Sequence, residues 1–272
     1  MTQKIFDCFP FFNEVELLEL RLMELANTVD YFVIAEANRT HTGNPKEFNF
    51  EKNKNKFKKY LDKIIYVKVA DLPKPTLENP WVAENFQRNA LVRGYEGVAQ
   101  KGDVILISDA DEIPKPEAIK ANLKCNARVI FKQLLYYYYV NCNVKRNWGG
   151  TVLDIYGRFP DPQNLRNSTK RHSYGVFPNG GWHYSYLTGN NTKRLIYKGH
   201  NIVDHLLKHT VLGNPNDVST KLKNLKDPYG RLSGRYQMRV VDISRDKPKS
   251  MDTFLKKYPQ FYYNLGKETL KK

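Results

Sequence analysis

The run Val104-Ile105-Leu106-Ile107-Ser108-Asp109-Ala110-Asp111-Glu112-Ile113-Pro114 places three carboxylates one serine behind four aliphatic residues. A short, continuous apolar run of this kind reads as a buried strand. Acids that follow such a strand fall at the carboxyl edge of a parallel sheet, where open α/β folds bind their ligands. Their oxygens suit Mg2+ or Mn2+, so Asp109 and Asp111 are candidate ligands of a divalent ion that neutralises a diphosphate. Asp-x-Asp alone recurs by chance; its weight here comes from the strand before it and the turn proline after it. Aspartyl phosphatases use a similar pair, but near the chain start and usually followed by Gly-Thr or a similar pair. Glu112-Ile113 follows here, which disfavours that chemistry.

The elements that must position these acids are legible as alternating strands and helices. Lys4–Phe9 reads as a first strand, with Pro10–Phe12 leaving it. A helix is expected from an Asn13 N-cap with Glu16 three residues on, its buried face marked by Val15, Leu18, Leu22 and Leu25. Tyr31–Ala35 and Ile64–Val69 read as strands, with a polar loop from Glu36 to Pro45 after the first of them. Val82, Phe86, Ala90, Leu91, Tyr95 and Val98 predict one amphipathic helix before Lys101-Gly102-Asp103 turns into Val104–Ile107. This alternation predicts an α/β domain with a mainly parallel sheet. After a helix at Pro116–Leu123, Arg128–Val140 and Thr151–Tyr156 read as an antiparallel pair turning at Asn147-Trp148-Gly149-Gly150. A last helix is expected near Met251–Lys257.

Taken together, these motifs resemble glycosyltransferase family 17, within the GT-A type of nucleotide-sugar fold. The resemblance rests on Phe6-Asp7-Cys8-Phe9-Pro10-Phe11-Phe12-Asn13-Glu14, on Leu18, Arg21 and Glu24-Leu25, and on Val29–Ile34 with Glu36. Thr40, Gly43, Lys46, Arg88-Asn89, Gly102-Asp103, Asp109-Ala110-Asp111, Trp148-Gly149-Gly150-Thr151, Leu165-Arg166 and Gly181-Trp182-His183 with Ser185 extend it over about residues 4 to 200. The family includes the animal enzyme that adds bisecting N-acetylglucosamine to N-glycans. The resemblance implies an inverting transfer of a sugar, with UDP-N-acetylglucosamine as the donor, to a glycan or glycolipid hydroxyl. It also implies a Rossmann-like GT-A domain, taken over 1–203 with an antiparallel acceptor-side extension; the basic, loop-rich residues 204–272 read from their composition as an extension packed on it, not as a separate domain.

Within that frame, Glu36 ends the second strand at the same sheet edge as Asp109 and can accept from a uracil N–H or a ribose hydroxyl. Lys46 and Arg88 can offset diphosphate charge, Arg88 bidentately, and His200 is a further diphosphate candidate. His183, beyond Asn179-Gly180-Gly181, can complete the metal shell or act on the acceptor hydroxyl. Trp148, Trp182 and Tyr138 are candidate acceptor contacts. An inverting transfer needs a group to take the acceptor proton; Asp161, Asp154, Glu112 and His183 are the candidates, with Asp161 preferred because it opens a helix after the acceptor-side strands.

Composition bounds the partners. At 272 residues with 41% hydrophobic content, the chain can bury a large core, and wholesale disorder is excluded. Cys8, Cys125 and Cys142 form neither a disulfide framework nor a zinc spacing. No signal peptide or spanning segment is read, so a cytoplasmic, bacterial or virus-encoded protein is expected. The net charge is +16, and residues 193–272 carry 18 basic against 7 acidic side chains. That excess predicts an anionic acceptor or peripheral membrane contact, with Arg231, Arg235 and Arg239 sharing a face if that stretch is helical. The alternative it raises is a nucleic-acid-binding or nucleic-acid-modifying protein, disfavoured because no recognition helix or RNP-like motif accompanies it.

Overall fold

The computed structural model describes residues 3–167, 175–189, 191–203, 215–227, 229 and 238–264. Among these, nine strands form one sheet: β1 (Ile5–Phe11), β2 (Tyr31–Ala37), β3 (Ile64–Val69), β4 (Val104–Ile107), β5 (Glu112–Pro114), β6 (Val129–Tyr137), β7 (Cys142–Ile155), β8 (Gly175–Ser185) and β9 (Met238–Val240). Their order is β3-β2-β1-β4-β7-β6-β8-β5, with β9 on β7. The β3-β2-β1-β4 half is parallel throughout. Beyond β4 the pairing turns antiparallel at β7 and β6, while β8 runs parallel to β6 and antiparallel to β5. The parallel half and the antiparallel extension are both present, but the sheet as a whole is mixed rather than mainly parallel.

The period-2 alternation of β1 sorts its side chains between two cores. Ile5, Phe9 and Phe11 pack with Leu18, Leu22 and Leu25 of α1 (Val15–Leu25). Phe6 and Cys8 face Ala83 of α2 (Val82–Asn89), Leu91 and Tyr95. The single helix expected over 82–98 is broken: α2 ends at Asn89 and α3 spans Val92–Tyr95. Gly94 explains its docking, because a Cβ there would press on Val33 and Val67 of the sheet. The capping box is also corrected. Asn13 makes no side-chain cap; Glu14 precedes the helix and its carboxylate accepts from the amides of Phe12 and Asn13, while Glu16 pairs with Arg194.

The expected turn at Asn147–Gly150 lies inside the long strand β7. The chain reverses instead after Tyr137, where Tyr138 takes a positive φ of 64°. Gly150 belongs in the strand because any Cβ there would overlap the Gln133 side chain of β6.

Helices α4 (Pro116–Ala121), α5 (Pro162–Asn167), α6 (Thr192–His200), α7 (Pro215–Lys223) and α8 (Met251–Lys257) complete the order used below. The C-terminal stretch joins the main body: β9 pairs with β7, and Met251, Phe254 and Phe261 enter the core shared with β1 and α1. Arg239 is exposed in β9 rather than helical; Arg231 and Arg235 lie outside the described residues. No helix among the described residues is long and apolar enough to cross a membrane.

Candidate active site

A cavity of about 420 Å³ opens at the carboxyl ends of β1, β2 and β4. Its walls come from Pro10–Phe12 at the end of β1, Arg39–His41 and Lys46 after β2, Arg88 of α2, Asp109–Asp111 after β4, and Lys198 of α6. Trp148 of β7 and His183 and Ser185 of β8 close the antiparallel side, with Tyr137 and Tyr186. Parallel strands with aligned ends therefore put the loops after three of them around one space.

The acid loop is held from behind by Arg21 of α1. Its Nη1 donates to the carbonyls of Asp109 and Glu112 at 3.0 and 2.9 Å, and its Nη2 to Ser108 Oγ at 2.6 Å. The carboxylates have separate partners. Asp109 Oδ1 accepts from Arg88 at 2.9 Å and its Oδ2 from Arg166 at 3.1 Å. Burial works to raise the Asp109 carboxyl, but these two guanidinium groups hold it well below the ordinary range. Asp111 Oδ1 lies 3.3 Å from His183 Nε2, and its Oδ2 lies 3.7 Å from Lys198 Nζ. Burial opposes ionisation of both Asp111 and His183, yet their mutual attraction lowers the carboxyl and raises the imidazole. Among the described residues, buried His183 Nδ1 meets no hydrogen-bond partner.

Six of the residues singled out in the sequence line this cavity: Lys46, Arg88, Asp109, Asp111, Trp148 and His183. The others sit elsewhere. Glu36 is wholly buried, and its carboxylate is saturated by Lys46, the Asn49 and Phe50 amides and the Tyr66 hydroxyl. It ties down the loop after β2 and has no lone pair directed to a ligand. Glu112 is likewise buried, accepting from Trp148 Nε1 and Arg166 at 2.6 Å each and from the Asp109 amide. Burial raises its carboxyl despite Arg166; it orients the tryptophan and the arginine rather than facing the cavity.

Asp154 lies on β7 opposite Ile105 and is paired with Arg128, away from the cavity. Asp161 accepts from the Asn164 amide at 2.7 Å, which makes it a cap of α5. His200 is exposed at the end of α6 and is not on the cavity wall. Trp182 is a core residue whose Nε1 donates to Asp246, and Tyr138 is buried with its hydroxyl on Asp227. The tyrosines that reach the cavity are Tyr137 and Tyr186, because the chain reversal at Tyr138 breaks the strand alternation.

Sequence reasoning missed Arg166 and Lys198 as site residues. Arg166 bridges Asp109, Glu112 and the Gly150 carbonyl, and Lys198 joins Glu14 to Asp111. Arg166 is the lone basic residue of its helix and Lys198 one of three in Thr192–His200, patterns that usually mark a solvated face, and only the tertiary fold turns them inward.

The donor chemistry fits a divalent ion in part. Among the described residues no three His, Cys, Asp or Glu groups converge. Asp111 and His183 do meet on the cavity wall, an oxygen and an imidazole nitrogen of the kind Mn2+ accepts. Asp109 does not join them, since both of its oxygens are engaged by arginines.

The chain has relatives of established name. Over 126 residues it is 29% identical to the rat beta-1,4-mannosyl-glycoprotein 4-beta-N-acetylglucosaminyltransferase, covering 44% of this chain and 23% of that protein. For the human protein of the same name, identity is 32% over 114 residues, 39% of this chain and 21% of that protein. The chain thus spans less than a quarter of the length of these relatives. Among solved structures, the inositol-1-phosphate CTP transferase from T. maritima superposes with a TM-score of 0.40 at 12% identity, over 75% of this chain and 96% of that one. At that score the fold assignment rests on the sheet order itself. The family model for glycosyltransferase family 17 matches residues 1–241, and the chain belongs to that family.

Proposed function

We propose that this cavity transfers a sugar, N-acetylglucosamine, from a UDP donor to the hydroxyl of a glycan or glycolipid acceptor with inversion. The observation that carries the reading is the convergence, in a family 17 chain, of Asp111, His183, Arg88 and Lys198 on one cavity beneath parallel strand ends. Asp111 and His183 would hold Mn2+ or Mg2+, which supplies Lewis-acid neutralisation of the departing diphosphate. The chain's own cations do the rest of the charge work. Arg88 Nη2 is held by Asp109 and Glu84 at 2.9 Å each and its Nη1 by Gln163, so the guanidinium is fixed in the cavity wall as a preorganised positive charge. Trp148, fixed through Nε1 by Glu112, presents a flat face to the cavity on which sugar C–H groups can stack.

Of the four proton-acceptor candidates, only His183 lines the cavity, where it is also the ion's nitrogen ligand. The nucleic-acid alternative finds no support in the family. An anionic acceptor remains the partner the basic C-terminal third suggests.

The test is transfer and hydrolysis of radiolabelled UDP-N-acetylglucosamine, with and without Mn2+, in wild type and Asp111→Asn. Release of UDP that depends on the ion and falls in the variant supports the reading. Turnover equal in all four arms would remove the ion from it, and no turnover of any UDP-sugar would remove the donor.

A further inference from the structure

Helix α6 is docked beside the cavity by charge and by one ring stack. Arg194 reaches Glu16 at 2.7 Å and the Asn13 carbonyl at 2.8 Å, and Tyr197 stacks on Phe12 with ring centroids 5.7 Å apart. One turn on from Arg194, Lys198 points inward. Its ammonium lies 2.9 Å from Glu14, 3.7 Å from Asp111 and 5.3 Å from the centre of the Tyr186 ring, with a side chain only 13% exposed.

Asp111 therefore has a resident cation. His183 contacts one of its oxygens, and Lys198 stands beside the other. A buried carboxylate requires such compensation, and a divalent ion at Asp111 and His183 would supply the same compensation more strongly. Two cations held at contact distance on the two oxygens of one carboxylate repel each other.

We infer that Lys198 is a tethered competitor of the divalent ion: it neutralises Asp111 in the empty site and is displaced from that carboxylate when the ion binds. The displaced ammonium stays in the cavity on a flexible four-carbon stem, anchored by α6, where anionic oxygens of the donor are its next partner. Ion binding and donor binding are thereby coupled through one side chain. This rests on the assignment of Asp111 and His183 as ion ligands.

The experiment measures Mn2+ affinity directly, by electron paramagnetic resonance of free Mn2+ without substrate, in wild type, Lys198→Met, Lys198→Arg and the exposed same-helix control Lys193→Gln. Removing a competing charge at contact distance should tighten Mn2+ binding in Lys198→Met by roughly tenfold, while Lys198→Arg and Lys193→Gln stay near wild type. With Mn2+ bound, UDP affinity should fall in Lys198→Met and hold in Lys198→Arg. Mn2+ affinity that is unchanged or weaker in a folded Lys198→Met, judged by its thermal melt, overturns the inference alone. Absence of Mn2+ binding in wild type and variants overturns the ion assignment beneath it.

Discussion

Arg21 and Asp7 form a wholly buried ion pair behind the acid loop, with Nη2 to Oδ1 at 2.6 Å and Nε to Oδ2 at 2.8 Å. The same guanidinium lies 4.2 Å from the centre of the Phe9 ring and carries the loop carbonyls. One side chain thus connects β1, α1 and the loop after β4. Removing one member of such a pair leaves a buried charge uncompensated, at about 3–5 kcal/mol. Arg21→Met should lose stability of that order in urea denaturation. Arg21→Lys should recover little of it, since an ammonium cannot serve the Asp7 carboxylate together with the Asp109 and Glu112 carbonyls as the guanidinium does. A Lys variant as stable as wild type would show that the fork geometry is dispensable.

Asp109 and Asp111 should separate in their effects on metal. Even partners in the outer shell of a metal site typically change affinity by roughly 10- to 100-fold, so loss of Asp111 as a ligand should weaken Mn2+ at least that much. Asp109→Asn should change Mn2+ affinity far less, because its oxygens serve Arg88 and Arg166, and should instead raise the KM for the UDP-sugar as those two side chains lose their anchor. Calorimetry with Mn2+ alone separates the two. Equal losses in both variants would mean that the arginines release Asp109 when the ion arrives.

The parallel half of the fold was readable because each of its strands is a short apolar run between turn signals, and each of its ends carries a polar motif. Asp109, Asp111, Arg88, Lys46 and His183 reach the cavity because strand ends and the helix before β4 fix where they lie. The errors share a cause. Glu36, Glu112 and Trp182 are polar or amphipathic groups in the right neighbourhood whose hydrogen-bonding capacity is consumed by partners distant in sequence, such as Tyr66, Arg166 and Asp246. Gly149 and Gly150 read as a turn because glycine signals both turns and close packing, and only the opposing Gln133 distinguishes them.

That distinction is measurable. At Gly150 a Cβ meets the side chain of Gln133 alone, whereas at Gly181 it meets the backbone carbonyl oxygen of Ile113 first, with Gln133 Nε2 and the Pro114 Cα next. A side chain can move; paired strands cannot separate without losing their ladder. Gly150→Ala should therefore cost about 1–3 kcal/mol, as overpacking does, and be partly rescued by Gln133→Ala. Gly181→Ala should cost more and regain a smaller share from Gln133→Ala, because the Ile113 carbonyl stays in place when Gln133 Nε2 is removed. Denaturation midpoints of the three single and two double variants decide it, and a full rescue of Gly181→Ala by Gln133→Ala would place the strain on the side chain in both cases.

The acid limb of stability should report on Asp246, which fastens the C-terminal stretch to the sheet. It accepts from Trp182 Nε1 at 2.9 Å, Asn179 Nδ2 at 2.8 Å and Lys115 Nζ at 2.8 Å. Burial works to raise its carboxyl, but these three donors together hold it below the ordinary aspartate range. A carboxyl depressed in the folded state contributes stability that is present above its unfolded value of about 3.9 and is lost as pH falls through the lower folded value. Asp246→Asn removes that proton linkage. Its melting temperature should lie below wild type at neutral pH, and the gap should narrow as pH drops from about 4 toward strong acid. Melting curves recorded across that window test it: a gap that stays constant with pH would mean that Asp246 acts through its hydrogen-bonding shape and not through its charge.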